Sequence, residues 1–314
     1  MLKIAIEVSY DDKILNEDKF GSKFFMQEFF LKNDIELVRV SINKFNKKKW
    51  TFDEYNILDN NSKIIKISKA IKPDIVWIRN SSFIAYKCDT LKEFILVPSR
   101  KIITISWDKL ENYKYLEEFQ PQTFSLNGFL RNKYIQDQLK DKIIIKPIRS
   151  SWGKWIKLLK KSYIIKNIKK YSWLENLFIV QEFKNFGWWY KDIVKWIHDF
   201  RLMFAWKSII EATVRTPEAW DFRSNIQSWG KQKNLAIKEI PKELVNLSKI
   251  IYKKLELENH DIFSMDFAYC SDDKKWYLLE INSSPGTWYY QEDKRILENI
   301  CKWFVKFFKN ISKK

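Results

Sequence analysis

Glycine is scarce in this chain: only 6 of its 314 residues are glycine, whereas 15 are tryptophan. Cysteine is rarer still, and Cys88, Cys270 and Cys301 are dispersed without a C-x-x-C pair. This spacing argues against a disulfide framework or a thiolate zinc site and suits a reducing cytoplasm. No apolar run reaches the roughly 18 residues of a transmembrane helix, and LKIAIEV at the start lacks the features of a signal peptide. We therefore expect a globular cytoplasmic protein.

The charge is strongly positive, with 57 Lys and Arg against 39 Asp and Glu, a formal net charge of +18. Clustered basic residues would indicate nucleic-acid binding, because they release counterions from phosphate backbones. Here the lysines are spread along the whole chain, with only short runs such as 47–49. We interpret them as solvated surface charge that could steer anionic ligands, and expect no nucleic-acid partner.

Up to about residue 106, apolar strand-like segments alternate with helix-like segments, which predicts a mostly parallel sheet of the α/β class. The predicted strands are IAIEV, IELVRV, DIVWI and KIITI, and helices are predicted near 19–32 and 83–96. Further along, DFRLMFA and SIIEATV are predicted strands, and 241–257 is a predicted helix. The last segment, RILENICKWFVKFFKNISKK, predicts an amphipathic helix that packs on its own domain and not on a membrane.

The segment 263–286, FSMDFAYCSDDKKWYLLEINSSPG, has the pattern of a β-hairpin with a polar turn. Asp266 and Glu280 each lie seven residues from Asp273, so an antiparallel register places them opposite each other. Asn282 shares the face of Glu280, because side chains alternate with a period of two. Opposed like charges repel unless something binds them, so these three residues predict a site for Mg²⁺, or in its place Mn²⁺. The acids of the turn itself are interpreted as solvated.

The string LLEINSSPG, with MDF upstream, resembles the metal-binding end of the ATP-grasp superfamily, especially its branch of glutamate-adding ligases related to RimK. Five further motifs follow the family's order between about residues 107 and 290. The resemblance implies an α/β ATP-grasp fold with an N-terminal parallel-sheet domain, and an ATP-dependent carbon–nitrogen ligase. It implies three segments: a pre-ATP-grasp domain over 1–106, a lid over 107–183 and a C-terminal catalytic part over 184–314.

The resemblance also implies the residues that bind ATP. Lys109, which follows Asp108, and Lys146, which precedes Pro147, look like the two lysines that reach the nucleotide phosphates. VQEF resembles the hinge that holds adenine through backbone groups, and HDFR contains the family's D-x-R, whose carboxylate takes the ribose hydroxyls. The implied ATP-binding residues are Lys109, Lys146, Ser150, Ser151, Trp152, Gly153, Lys154, Gln181, Glu182, Phe183, Asp199 and Arg201.

Arg215 and the string DFRSN at 221–225 resemble the family's R…FRSN element beside the phosphates. Arg215 is the implied stabiliser of the transferred phosphoryl group and of the tetrahedral oxyanion, and Arg223 and Asn225 flank the same site. In the implied reaction a carboxylate attacks the γ-phosphate, and an amine then displaces phosphate from the acyl phosphate. The protein would contribute positioning and charge neutralisation.

Tryptophan stands where the family pattern has glycine. The family's phosphate-covering loop is glycine-rich, because backbone N–H groups can cradle phosphate only where no side chain intervenes, yet here it reads SSWGKWI. Glycine and tryptophan together make 21 of 314 residues, close to the average glycine content of about 7%. We hypothesise that many tryptophans are UGA codons that the source organism reads as glycine, beginning with positions 152, 155, 206, 220 and 229. The alternative is a genuinely tryptophan-rich protein whose indoles stack nucleobases.

Three functions stay open at this point. A RimK-like ligase would add glutamate or a similar amino acid to a small molecule or a protein terminus. A peptide-modifying ATP-grasp enzyme would join side chains of a ribosomal precursor, with 184–197 as its docking surface. A non-catalytic nucleotide-binding or nucleic-acid-associated module would have its phosphate loop blocked by genuine tryptophans. The expected partners are therefore small-molecule or peptide carboxylate and amine substrates, and no pattern predicts an oligomeric state.

Overall fold

The structure is a computed structural model of the 314-residue chain. It describes residues 1–7, 22–59, 61, 63–79, 91–149, 155–186, 193–194, 198–217, 231–257, 261–286 and 294–313. Within these ranges three larger sheets follow one another along the chain. No sheet in the described ranges crosses the predicted boundaries at 106/107 and 183/184, and the division into three domains stays a prediction.

The N-terminal sheet has six strands, in the order β6–β5–β2–β1–β7–β8 with the bounds given below. The strands β1, β2, β7 and β8 pair in parallel, whereas β5 and β6 form an antiparallel edge. β7 is buried along its whole length, as expected of a strand covered on both faces. The prediction of a mostly parallel α/β sheet is confirmed. The elements are β1 (Leu2–Glu7), α1 (Ser22–Leu31), β2 (Ile35–Val40), β3 (Phe45–Asn46), β4 (Thr51–Phe52), β5 (Tyr55–Leu58), β6 (Ile64–Ile67), β7 (Ile75–Ile78) and β8 (Ile95–Val97).

One prediction for the end of this region is wrong, and a second, the helix near 83–96, is wrong over residues 91–96. KIITI is not a strand, because it lies in helix α2 (Arg100–Trp107). Ser99 caps this helix by accepting a hydrogen bond from the Ile102 backbone N–H, and the isoleucines of the run are mostly buried. The strand is β8 instead, at the end of the stretch predicted as a helix near 83–96; 80–90 lie outside the described residues. Short apolar runs do not distinguish a buried strand from a buried helix.

The second sheet has four antiparallel strands, in the order β11–β10–β12–β9. One face packs on helices through a core that includes Phe129, Ile145 and Val180. Lys146 and Gln181 lie on the opposite face, because they alternate with Ile145 and Val180 along β10 and β12. The elements are α3 (Lys109–Leu116), β9 (Thr123–Ser125), α4 (Leu126–Arg131), α5 (Lys133–Gln138), β10 (Lys142–Pro147), β11 (Lys157–Lys160), α6 (Lys161–Lys166), α7 (Ile168–Tyr171) and β12 (Phe178–Glu182).

The third sheet has five antiparallel strands, in the order β15–β14–β13–β16–β17. Phe200, Leu202 and Met265 on one face pack on α8 residues such as Leu244 and Ile251. The elements are β13 (Asp199–Ala205), β14 (Ser208–Thr216), β15 (Lys231–Leu235), α8 (Lys242–Lys254), β16 (Ile262–Cys270), β17 (Lys275–Asn282) and α9 (Lys294–Ile311).

The C-terminal helix α9 joins the first and third sheets. Its apolar stripe, which includes Phe304 and Phe308, lies in one buried cluster with Trp77 of the first sheet and Met203 of the third. The predicted packing of this helix on the protein itself is confirmed. None of the helices in the described ranges has the length and apolarity to cross a membrane.

Candidate active site

One face of the third sheet is polar, and the strand register decides which residues meet there. Arg201 pairs with Asp266, and Asp266 pairs with Glu280, as the hairpin prediction requires. Asp199 pairs with Arg215 on the neighbouring strands. Side chains alternate along each strand, so these residues lie on one face of the sheet, and Asn282, two residues after Glu280, lies on the same face.

The three predicted metal ligands are in direct contact. Asn282 Nδ2 donates hydrogen bonds of 3.1 Å to Asp266 Oδ2 and of 3.1 Å to Glu280 Oε1. Two carboxylates and a carboxamide oxygen are hard donors of the kind that Mg²⁺ takes. Their contact and their chemistry therefore fit such an ion. In the described ranges no cluster of three or more His, Cys, Asp or Glu is arranged for a metal, so this mixed set is the candidate.

A buried ion cluster lies beside these ligands. Arg201 donates from Nε and Nη2 to both carboxylate oxygens of Asp266, at 2.8 and 2.7 Å. Arg215 donates in the same bidentate way to Asp199, at 2.6 and 2.8 Å, and its Nη2 also donates to Asp266 Oδ2 at 2.7 Å. Planar guanidinium groups suit such paired contacts with carboxylates. Two arginines thus neutralise two carboxylates that are almost fully buried.

The pKa values of the cluster reflect its burial and its charges. Burial by itself would raise the pKa of Asp266, but Arg201 and Arg215 hold it well below its usual range. Burial and, to a smaller extent, the neighbouring Asp266 carboxylate raise the pKa of Asp199 to about 6 against the opposing charge of Arg215. The pKa of Arg215 is raised by its two carboxylate partners although burial opposes this. Asp266 therefore stays ionised at neutral pH, as a metal ligand must.

A small cavity of about 10 Å³ lies between the second and third sheets. One side of the cavity is lined by Lys146 and Gln181 of the second sheet and by Lys109 of α3, the helix that precedes this sheet. Glu280 of the third sheet lines the other side. Lys146 Nζ donates to Gln181 Oε1 at 2.9 Å, and Gln181 Nε2 donates to Thr123 Oγ1 at 2.8 Å. The structure thus brings both predicted nucleotide lysines next to a predicted metal ligand.

Local contacts explain why Lys109 lies there. Asp108 caps α3 by accepting hydrogen bonds from the backbone N–H groups of Leu110 and Glu111, at 3.0 and 3.2 Å. The Lys109 N–H donates to the Ile148 carbonyl at 3.1 Å, which ties the start of the helix to the end of β10. Burial lowers the pKa of Lys109, and the nearby Glu280 and Asp108 charges oppose this shift.

Several predicted site residues lie outside the described ranges. For these residues the prediction stands as the sequence makes it. They are Ser150, Ser151, Trp152, Gly153 and Lys154 of the phosphate loop, Arg223 and Asn225 of the catalytic set, and 187–192 and 195–197 of the predicted docking surface.

The sequence did not predict a pair of salt bridges that joins the predicted adenine hinge, VQEF at 180–183, to the turn of the hairpin 263–286. Lys184 Nζ lies 2.9 Å from Glu182 Oε1 and 2.9 Å from Asp273 Oδ2. Tyr277 OH donates to Asp273 at 2.6 Å, and the ammonium of Lys184 lies over the Tyr277 ring. Asp273 is exposed, as predicted for an acid of the turn, but it also pairs with Lys184. This partner comes from a distant strand end, which sequence spacing does not reveal. Lys184 thus connects the predicted adenine hinge to the turn of the hairpin.

We expect Lys184→Met to lower the free energy of unfolding by about 1–2 kcal/mol, because it leaves the Asp273 carboxylate without its ammonium partner. Urea unfolding at neutral pH measures this loss. Hydrogen bonds from Tyr277 and Lys184 lower the pKa of Asp273 to about 2. A lowered acid pKa stabilises the fold above the unfolded value of about 3.9, so the loss should shrink as the pH falls from there toward 2.

Lys275→Met is the matched control, because Lys275 lies over the same Tyr277 ring but does not bridge the two carboxylates. An equal loss in both variants would show that the bridge contributes nothing beyond a lysine–tyrosine contact.

The two facing sheets, with lysines and carboxylates at one cavity between them, form the ATP-grasp fold. A model of the RimK-like ATP-grasp domain family matches residues 123–304, and the chain belongs to this family. It is accordingly an ATP-binding, ATP-dependent carbon–nitrogen ligase. Of the three functions left open by the sequence, this finding favours the two enzymes over the non-catalytic nucleotide-binding module. No curated protein sequence matches the chain significantly.

Solved structures of the same fold cover nearly the whole chain. A RimK domain ATP-grasp protein from Sphaerobacter thermophilus has a TM-score of 0.60 at 13% identity, covering 96% of this chain and 98% of that one. D-Alanine–D-alanine ligase from Bacillus anthracis, complexed with ATP, has a TM-score of 0.61 at 13% identity, covering 100% and 99%. The ATP-grasp ligase PsnB, complexed with a phosphomimetic variant of a minimal precursor, Mg and ADP, has a TM-score of 0.62 at 15% identity, covering 98% of both chains. At these identities the likeness concerns the fold.

Proposed function

We propose that the protein forms an amide bond between a carboxylate and an amine through an acyl phosphate, adding an amino acid such as glutamate. The observation that carries this proposal is the cavity at which Lys109 and Lys146 meet Glu280, with Asp266 and Asn282 in contact beyond it. Two cations facing two carboxylates are the arrangement that a metal-bound polyphosphate needs, because the ammonium groups offset phosphate charge and the carboxylates hold the metal.

Nucleotide would lie between the second and third sheets. Lys109 and Lys146 would face its phosphates, and the backbone of Gln181, Glu182 and Phe183 would hold adenine at the end of β12. Lys146 donates to Gln181 in the structure, so the two groups are already positioned against each other. The segment 150–154 would cover the phosphates.

Asp266, Glu280 and Asn282 would hold Mg²⁺, which supplies charge neutralisation to the phosphates when it is bound. Arg201 fixes the orientation of Asp266 through its paired hydrogen bonds. We assign Asp199 to the positioning of Arg215, because both of its carboxylate oxygens accept hydrogen bonds from that guanidinium. The ribose contact implied for Asp199 would need one of these bonds to be exchanged.

Arg215 would stabilise the negative charge that develops as phosphate is transferred. The substrate carboxylate attacks the γ-phosphorus and ADP leaves; the amine then attacks the acyl carbon and inorganic phosphate leaves. Arg223 and Asn225 would flank the same centre. A fixed guanidinium is effective here because it needs no reorganisation during the reaction.

Product formation tests the proposal directly. Purified protein is incubated with Mg-ATP and a panel of amino acids, each alone and in pairs, and ADP release is followed together with trapping of acyl phosphate by hydroxylamine. We expect ADP release to depend on a carboxylate substrate, and a hydroxamate to form when the amine is absent. ATP binding without carboxylate-dependent ADP release, over the whole panel and over precursor peptides, would contradict the proposal.

A peptide carboxylate is the second candidate substrate. The fold likeness to PsnB, whose structure holds a minimal precursor, favours it. In that case 184–197 would contact the peptide, and ADP release would require a precursor peptide encoded near the gene. Turnover with free amino acids alone would exclude this alternative in favour of the first.

The ATP affinity should depend on pH through Lys146. Burial and, to a smaller extent, the charge of Lys109 lower the pKa of Lys146 to about 8, although the charge of Glu280 opposes the shift. The protonated ammonium pairs with phosphate and the neutral amine does not, so affinity should be constant below that pH and fall above it. Bound phosphate favours the charged form, so ATP binding near pH 8 should take up protons.

Calorimetry in two buffers of different ionisation enthalpy measures this proton uptake. Lys146→Arg is the control, because a guanidinium stays charged over this range and should bind ATP without proton uptake. Equal uptake by both proteins would show that another group titrates.

A further inference from the structure

Three tryptophans have a left-handed backbone. The φ angle is 53° at Trp50, 65° at Trp155 and 54° at Trp206. Among the described residues, half of the six non-glycine positions with positive φ are therefore tryptophan, although tryptophan makes up only 15 of 314 residues. A bulky residue in this region is an outlier, because its Cβ crowds the backbone, whereas glycine has no Cβ and adopts the region freely.

Trp206 lies at a position where glycine has a defined role. It is the first of the two residues that connect β13 to β14, and Ala205 and Ser208 on either side are register partners. The favoured two-residue hairpin loops have positive φ at this first position, because such turns match the twist of the strands. Here Trp206 has a positive φ and Lys207 does not, which is the pattern of a type II′ turn, and that turn type has glycine at its first position.

Trp50 and Trp155 also lie at loop ends. Trp50 is the last residue of the loop between β3 and β4, directly before Thr51. Trp155 comes two residues before β11, and 69% of its surface is exposed. Packing does not explain an indole at position 155, and the backbone angle disfavours one.

Two other tryptophans differ in backbone conformation and in burial. Trp77 in β7 and Trp276 in β17 are extended strand residues with exposed fractions of 1% and 7%. The ring of Trp77 packs edge-on against Phe304 at 5.1 Å between centroids, and Trp276 does the same against Phe200 at 5.0 Å. The core at these two places is built around an indole. Trp50 and Trp206 also contact aromatic rings, Phe45 at 5.9 Å and Phe307 at 5.4 Å between centroids, but both are only partly buried.

We propose that the native polypeptide has glycine at positions 50, 155 and 206 and tryptophan at positions 77 and 276. Backbone angles carry the assignment at positions 50, 155 and 206, supported at 155 by exposure, and burial in the core carries it at 77 and 276. Neither depends on the ligase activity or on a family motif. The backbone angles add position 50, which no motif singles out.

Codons and native peptide masses test the assignment. We expect UGA at 50, 155 and 206 and UGG at 77 and 276 in the gene, and glycine at the first three positions in peptides of the protein isolated from its source organism. UGG at all three positions, or tryptophan there in native peptides, would overturn the proposal. UGA at 77 or 276 would show that backbone angle and burial do not separate the two kinds of position.

Paired variants test the physical cause. Both Trp→Gly and Trp→Ala remove the indole at positions 50, 155 and 206, but only glycine fits a positive φ without strain. We expect each glycine variant to have a Tm about 2–4 °C above that of its alanine partner. At Trp77 the order should reverse, because glycine weakens a strand interior more than alanine does. Alanine variants as stable as the glycine variants at all three loop positions would contradict the assignment.

Discussion

Glu280→Ala is expected to abolish ATP turnover while the protein stays folded. The loss should reach at least about 10²–10³-fold, the effect of removing one group that stabilises charge in a transition state. Glu280 is the residue at which the lysine cavity and the candidate metal ligands meet. Without Glu280, the Asn282 carboxamide keeps only one of its two hydrogen bonds to carboxylates, the one to Asp266. ADP release at saturating Mg-ATP measures the turnover, and the thermal unfolding curve checks the fold.

Glu298→Ala is the matched control for this prediction. Glu298 pairs with Lys302 on the exposed side of α9, away from the cavity, and its loss should leave turnover unchanged. A second readout is the Mg²⁺ concentration needed for half-maximal ATP binding, which should rise in Glu280→Ala and stay constant in the control. Full activity of Glu280→Ala would refute the metal assignment.

Arg215→Ala is expected to lower the free energy of unfolding by about 3–5 kcal/mol, the usual effect of breaking a buried ion pair by removing one partner. Arg215 is the only residue in the described ranges that donates to both Asp199 and Asp266. Without it, Asp199 is a buried carboxylate next to a second one. Urea unfolding followed by circular dichroism measures the loss.

The loss should depend on pH, because the pKa of Asp199 is already raised to about 6 in the presence of Arg215 and rises further without it. An acid whose folded pKa is raised favours the fold below its unfolded pKa and loses this contribution as the pH rises through the folded value. The cost of Arg215→Ala should therefore be largest well above pH 6 and shrink as the pH falls toward that value.

The double variant Arg215→Ala with Asp199→Asn separates lost pairing from lost packing. The carboxamide introduced by Asp199→Asn carries no charge, so the double variant should be more stable than Arg215→Ala alone. A double variant whose cost is the sum of the two single costs would show that the two side chains do not act as a pair.

Much of the candidate site follows from sequence pattern. The equal spacing of Asp266 and Glu280 from Asp273 predicts that the two lie opposite each other, and the structure pairs them. A β-bulge between Asp266 and Phe267 shifts the register of the rest of the hairpin by one residue. Asp108 caps α3 through hydrogen bonds with the backbone N–H groups of Leu110 and Glu111, the two residues after Lys109. Both features are local, because a strand's alternation and a helix cap depend on residues close in sequence. The failure at KIITI shows the limit of local reasoning, since the same apolar run fits a strand or a buried helix and only the surrounding core decides.

Residue pattern alone was enough for the fold class, for the hairpin that brings three candidate oxygen ligands together and for the resemblance that places the chain among ligases. Three-dimensional packing was needed to show that Arg215 shares its guanidinium between Asp199 and Asp266, and that Lys184 reaches Asp273. These partners come from separate strands, and no spacing along the chain specifies which of many acids a long side chain meets. Packing also determines which tryptophans lie at left-handed positions, because φ depends on the loop that the flanking strands impose. Contacts between distant segments depend on the whole core, whereas sequence periodicity reports only on neighbours.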